Sequence, residues 1–285
     1  MIPSAFEYEA PTSTADAVEL LAGAPMGAKI LAGGQSFIPV LRLRMADPEL
    51  VVGLAKIPGL DGARLDGDHV VIGAMTTHAA VASDPLIQEH APLLAKAAAT
   101  VADPQVRHRG TIGGSTAHAD PAGDIGTCLL AMDAELRIAG PGGERDVAAA
   151  DFFIDVFTTD LDEDELLTEI RVPSFRGWSA HYEKFTRVAQ QWSIVAVGAL
   201  VRTEGDTISE ARIGLTNMGT TPLRASGVEA ALAGCALDAS AIAEACASAA
   251  EGTDPQTDLN GDANYRKHLA EVLTRRAVLA AVNLE

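Results

Sequence analysis

Two short glycine segments constrain this chain more than any other feature of its sequence. The first, Ala32-Gly33-Gly34-Gln35-Ser36, follows an apolar strand at Lys29 to Leu31. It precedes a stretch with Ile38, Val40, Leu41 and Leu43 that predicts a helix with Pro39 in its first turn. The second, Arg109-Gly110-Thr111-Ile112-Gly113-Gly114-Ser115, reads as a tight loop. It leads through Thr116-Ala117-His118-Ala119-Asp120-Pro121-Ala122-Gly123-Asp124 into an apolar helix from Ile125 to Met132. Each segment joins paired glycines and a hydroxyl residue at an element end, where backbone N–H groups lack intrahelical partners and can face an anion. Either one alone is equally a simple turn, whereas two together can grip one diphosphate from two sides. The chain has neither GxGxxG nor GxxxxGK[ST], so a dinucleotide fold or phosphate loop of those designs is not supported.

The remaining pattern is mixed. Ser13 with Asp16 caps a first helix over Thr12 to Gly23. Val51 to Leu54 and Val70 to Ile72 predict strands, and Thr77 to Val101 predicts helix broken near Pro85 and Pro92. Ala134 to Ile138 and Arg145 to Val147 predict a hairpin around Gly140-Pro141-Gly142-Gly143, and Leu166 to Val172 a strand ending at Pro173. After a linker from Pro173 to Trp178, the segments His181 to Val188, Ser193 to Arg202 and Thr207 to Thr216 predict an antiparallel sheet. Glu204-Gly205-Asp206 is a hairpin turn within it, and the tail from Arg224 onward is mostly helical.

Charge and cysteine content remove several functions. Twenty-one Lys and Arg against 39 Asp and Glu leave a net charge of -18 over 285 residues, which repels nucleic acid and anionic lipid at long range. On so acidic a chain, oriented backbone amides hold a pyrophosphate better than lysine clusters, and neither glycine segment contains a Lys. Cys128, Cys235 and Cys246 form no CxxC pair and read as structural; three thiols cannot build a cluster that needs four. His78, His108 and His118 match no metal-ligand spacing and read as exposed or core-satisfied, so no metal is expected. The longest apolar run, Ile194 to Val201, is far shorter than the roughly 20 residues of a membrane-spanning helix. The start MIPSAFEYEA has no secretory-signal pattern, so a cytoplasmic location is expected.

The ordered set AGGQS (32–36), TIGGS (111–115) and DPAGD (120–124), with ELLTEIRVP (165–173), YEKFTR (182–187) and NYRKHLAEVLTRRA (264–277), resembles the FAD-binding medium subunit of the molybdenum hydroxylases. That family includes enzymes of the aerobic carbon monoxide dehydrogenase and xanthine dehydrogenase type, and the resemblance spans nearly the whole chain. AHADPAGD (117–124) and WSAHYEKFTR (178–187) are most similar to medium chains of the carbon monoxide dehydrogenases. The resemblance implies an α+β fold. A two-subdomain FAD-binding module of the vanillyl-alcohol-oxidase-like (PCMH) kind would span 1–55 and 56–175, with a C-terminal antiparallel sheet and helices over 176–285. It implies non-covalent FAD here, with the molybdenum cofactor on a large partner subunit and iron-sulfur clusters on a small one. Two such heterotrimers would pair, and electrons would pass from the clusters through FAD to a terminal acceptor. A self-sufficient FAD-dependent oxidase or reductase, and a non-catalytic nucleotide-binding protein, are the alternative readings.

Residue roles follow from the same resemblance. Ala32, Gly33, Gly34, Gln35 and Ser36, with Thr111, Ile112, Gly113, Gly114 and Ser115, would surround the diphosphate, mainly through backbone amides. Many relatives have Asn where Ser115 stands, a change that leaves the backbone donor in place. Asp124 resembles a cofactor-contacting acid able to bind ribose hydroxyls; the plain alternative is a helix cap at 125. Leu167 through its backbone and Lys184 through its ammonium would approach the isoalloxazine, where a cation favours the reduced, anionic form; a solvated strand lysine is the alternative. Arg187 is similar to Lys184 in this respect. Trp192 lies where an aromatic side chain either covers the flavin or packs into a sheet. No general acid or base is expected on this chain.

Overall fold

The computed structural model describes residues 2–24 and 27–284. Three sheets follow one another along the chain. The first comprises β1 (Glu7–Glu9), β2 (Ala28–Leu31) and β3 (Leu50–Gly53), all parallel in the order β1-β3-β2. Helices α1 (Thr14–Gly23) and α2 (Phe37–Leu43) form the connections. The Ser13 hydroxyl accepts the Asp16 N–H at 3.1 Å, so α1 starts where the cap residue places it. Around this sheet Ala17, Leu21, Val52, Leu54 and Ile57 form a small core joined by Leu166 from far along the chain.

β4 (Ala63–Asp66) and β5 (His69–Gly73) open the second sheet. A helical run follows: α3 (His78–Ser83), α4 (Pro85–His90), α5 (Pro92–Thr100), α6 (Pro104–Arg107), α7 (Ile112–His118) and α8 (Asp124–Ala131). Pro85, Pro92 and Pro104 each stand in the first turn of a helix, where a missing N–H costs nothing, so Pro85 and Pro92 start helices where the sequence pattern showed breaks and Pro104 starts another beyond it. β6 (Glu135–Gly140) and β7 (Gly143–Ala148) form the predicted hairpin. After the short α9 (Ala149–Phe152) and the pair β8 (Phe153–Asp155) and β9 (Thr158–Thr159), β10 (Leu166–Pro173) returns between β5 and β6. The antiparallel order is β4-β5-β10-β6-β7, with a register shift in β10 between Leu167 and Glu169.

The third sheet is antiparallel: β11 (Ser179–Phe185), β12 (Val195–Glu204), β13 (Thr207–Thr216) and β14 (Leu223–Arg224). Helices α10 (Ser226–Leu232), α11 (Ala239–Ala245) and the long α12 (Ala263–Ala281) follow. β12 explains the continuous apolar run seen in the sequence, because both its faces are buried. Ala196 and Leu200 point into the core shared with α5 and α8, while Val195, Val197, Ala199 and Val201 point into the core closed by α12. At Gly198 an added Cβ would lie 3.1 Å from Leu93, so glycine lets α5 settle directly on the strand. Through this contact the C-terminal sheet becomes a wall of the site described next.

The segment from Thr111 to Ser115 is not a loop: Thr111 caps α7, and the paired glycines lie inside its first turn. Thr111 supplies the cap hydroxyl that makes this helix possible, and Ala119 ends it in the left-handed conformation at φ 48°. Among the described residues no helix is long and apolar enough to cross a membrane.

Candidate cofactor cleft

A cleft of about 710 Å³ runs between the first sheet, the helical segment and the C-terminal sheet. It falls within the 300–1,000 Å³ typical of small-molecule and cofactor sites. It is lined by Ala32, Gly33, Gly34, Gln35, Ser36, Thr111, Gly113, Gly114, Ser115, Asp124, Leu167 and Lys184. The fold thus gathers nearly all the residues singled out in the sequence, although they lie up to 152 positions apart. Ile112 is the exception: its side chain is fully buried in the core shared with α5 and α8.

The glycines do something different from what the sequence suggested. A Cβ on Gly33 would lie 2.2 Å from the Arg109 carbonyl oxygen, and one on Gly113 would lie 2.5 Å from the Ala74 Cβ. Gly33 therefore lets the turn after β2 close against Arg109 and Gly110 just before α7, and Gly113 lets α7 settle on the backbone that leaves β5. Gly34 adds a left-handed turn at φ 74°. The two segments also differ in their free amides. Among the described residues, the N–H groups of Gly33, Gly34, Gln35 and Ser36 donate no hydrogen bond to the protein. In the second segment Ile112 donates to the Thr76 carbonyl, Gly113 to the Ala74 carbonyl at 2.8 Å, Gly114 to the Thr111 hydroxyl at 3.1 Å and Ser115 to the Thr111 carbonyl. The open donor set is concentrated at 33–36.

A second polar cluster is made of side chains. Asp124, the first residue of α8, is 3% exposed and does not cap the helix. Its Oδ1 accepts from the Tyr182 hydroxyl at 2.8 Å and the Ser193 hydroxyl at 2.7 Å, and its Oδ2 from Lys184 Nζ at 2.6 Å. Lys184 Nζ also donates to the Thr100 carbonyl at 3.3 Å. The Tyr182 hydroxyl continues the chain to Thr216, which donates to Thr127 at 2.7 Å. Burial and the Asp124 charge push the Tyr182 phenol well above its ordinary pKa, so it stays a proton donor. Lys184 is accordingly a fixed, paired cation rather than a solvated strand lysine, and Asp124 spends its acceptor capacity on protein donors.

Tyr182 and Ser193 carried no role in the sequence reading. One signal for Tyr182 was present: it stands two residues from Lys184 on one strand, hence on the same face. Ser193 lies outside any strand and only the fold brings it in. Trp192 lies at the cleft wall but is 49% exposed, so it does not pack into a sheet core. Arg187 is turned away: its guanidinium donates to the Asn260 side chain at 2.7 Å. The charged side chains lining the cleft are Lys29 and Lys184 against Asp120, Asp124, Asp162, Glu163 and Glu165. Acidic side chains outnumber basic ones there, which favours holding an anion on backbone donors such as those at 33–36. Ala74, Met75, Val101, Leu161 and Leu167 supply apolar wall for a flat ring. An open amide row, an apolar wall and one held cation fit a dinucleotide carrying an aromatic ring system. Cys128 and Cys246 are buried and Cys235 is half-buried in a turn. Among the described residues no group of three or more His, Cys, Asp or Glu side chains is placed to hold a metal ion.

Comparison with known proteins gives the same picture. Residues 4–175 match the family described as FAD binding domain in molybdopterin dehydrogenase, and residues 180–281 match the CO dehydrogenase flavoprotein C-terminal domain. The chain is 43% identical to the carbon monoxide dehydrogenase medium chain of Hydrogenophaga pseudoflava, covering 99% of this chain and 98% of the relative. It is 40% identical to the medium chain from Afipia carboxidovorans, over 98% and 97% respectively. It superimposes with a TM-score of 0.95, at 44% identity, on a chain of the solved Hydrogenophaga pseudoflava carbon monoxide dehydrogenase lacking the Mo-pyranopterin moiety, covering 100% of this chain and 99% of that one.

Proposed function

Because the chain belongs to the FAD-binding flavoprotein family of the molybdopterin dehydrogenases, we propose that it is the FAD-carrying electron-transfer subunit of an aerobic carbon monoxide dehydrogenase. The observation that carries this reading is the cleft itself, where a row of open backbone amides, an apolar wall and a clamped lysine fit FAD. FAD supplies exchange between one- and two-electron carriers. The chain's own residues bind and orient it. Gly33 to Ser36 offer N–H donors to the diphosphate, with Ala32, Thr111, Gly113, Gly114 and Ser115 shaping the other side. Leu167 stands at the strand irregularity where backbone can face the flavin ring. Asp124, Tyr182 and Ser193 hold Lys184 and its proton in place, so that a positive charge faces the same ring without being free to swing into solvent.

In this reading residues 1–55 and 56–175 are the two cofactor-binding subdomains and 176–285 the C-terminal domain. The relatives are named medium chains, which supports a large and a small companion subunit. These would bear the molybdenum cofactor and the iron-sulfur clusters, since the three cysteines here cannot ligate a four-thiolate cluster. Two heterotrimers pair, and the complex works in the cytoplasm. The test is purification with companion chains, mass determination of the released cofactor and of each chain, and a visible spectrum taken before and after exposure to carbon monoxide. Flavin bleaching by carbon monoxide in a three-chain complex is expected. A complex bleached only by another substrate would overturn the carbon monoxide assignment, and an active lone chain would overturn the subunit role.

A further inference from the structure

His78 opens α3, and its N–H donates to the Gly110 carbonyl at 2.9 Å. Its ring stands in the cleft wall, where a Cβ added to Gly110 would lie 3.0 Å from His78 Cδ2 and 3.5 Å from Gln35 Cγ. The imidazole therefore sits at the seam of the two glycine segments. The residue is 3% exposed, and its Nδ1 is buried with no hydrogen-bond partner among the described residues. Buried polar atoms without partners are rare, and orphaned N–H donors are rarer than under-used acceptors. Nδ1 accordingly carries the lone pair, and the ring proton sits on Nε2. Among the described residues Nε2 makes no hydrogen bond and is not one of the sealed, unpartnered atoms, which leaves it as the ring's open donor.

We propose that His78 is a further residue of the cofactor site, donating a hydrogen bond from Nε2 to the diphosphate of the bound dinucleotide. The assignment rests on the flavin reading above and adds a side-chain donor to a site otherwise served by backbone. Burial, reinforced by the Arg107 charge, lowers the His78 pKa to about 4, so the ring is neutral at working pH. A neutral donor suits this place, because a buried cation would need a counter-charge of its own whenever the cofactor is absent. Hydrogen bonds between such a donor and a phosphate oxygen are charge-assisted.

The test uses the purified complex with its flavin removed, titrated with FAD, ADP and adenosine. His78→Phe keeps the ring and loses the donor; its Kd for FAD and for ADP should rise about 10- to 100-fold, with adenosine binding unchanged. His78→Gln, whose amide nitrogen reaches the position of Nε2, should recover most of the loss, and thermal unfolding without ligand checks that each variant folds. Equal FAD and ADP affinities in wild type and His78→Phe would overturn the assignment while leaving the flavin reading intact. A loss as large for adenosine as for ADP would also overturn it, since it would mark general damage to the wall. A wild-type complex that takes up no FAD would overturn the flavin reading and this assignment together.

Discussion

The seam at Gly33 to Ser36 and the cluster around Asp124 line the same cleft and are built from opposite materials. The seam is backbone, neutral, and made of residues adjacent in sequence, with its donors left open by the protein. The cluster is side chain and ionic, drawn from α8, β11 and the turn before β12, with Tyr182, Ser193 and Lys184 all donating to one carboxylate. An acidic chain can bind an anionic cofactor this way because the two demands are separated. Backbone dipoles hold the phosphates, and a single lysine is kept by a carboxylate, so neither task needs an exposed basic patch.

The largest expected effect tests whether the cluster is a true buried ion pair. Lys184→Met should lower unfolding stability by about 3 to 5 kcal/mol in denaturant titration, because it strands the Asp124 carboxylate in a nearly dry site. The double variant Asp124→Asn/Lys184→Met should regain part of that loss. If Lys184→Met unfolds like wild type, the cluster resembles the solvated surface more than the seam.

Next comes pH at the seam. His78 has a folded pKa of about 4 against 6.5 for the free side chain, so the unfolded chain takes up its proton first as pH falls. The neutral ring's contribution is complete above pH 6.5 and declines as pH drops toward 4, on the order of 3 kcal/mol in all. Replacing His78 by Phe should flatten the stability profile in that window. An unchanged slope would mean the ring is wetter than its burial implies.

Gly33→Ala comes third. The added methyl would meet the Arg109 carbonyl and must push the seam open, at a cost of about 1 to 3 kcal/mol with a matching loss of FAD affinity. Both should be read by calorimetry, and FAD affinity that survives intact would show that the seam tolerates widening. Tyr182→Phe should be smallest, at about 1 kcal/mol by thermal unfolding, since Asp124 keeps its Ser193 and Lys184 donors.

The contrast also explains what could be read in advance. The seam was visible as AGGQS between a strand and a helix because its parts are contiguous and glycine marks close backbone approach. Its partner segment was misread as a loop, since glycines inside a first helical turn look the same in sequence and only the Thr111 cap tells them apart. The C-terminal sheet was legible from three successive strand-like segments and from the Glu204-Gly205-Asp206 turn, and β13 runs over the expected residues. The ionic cluster was half-visible: Asp124 and Lys184 came from the family resemblance. Their pairing depends on α8 packing against β12 and β13 of the C-terminal sheet, which brings together positions 60 apart that no local pattern links. His78 read as an exposed or core-satisfied histidine because nothing in the sequence shows that it is buried with no partner for its Nδ1.

The most direct test of this account is an experimental structure of the chain within its complex with FAD bound. The account predicts the diphosphate against the Gly33 to Ser36 amides, the flavin ring beside Leu167 and Lys184, and the Asp124–Lys184 pair intact. A cofactor whose phosphates lie elsewhere, or whose ribose has displaced Lys184 from Asp124, would contradict it.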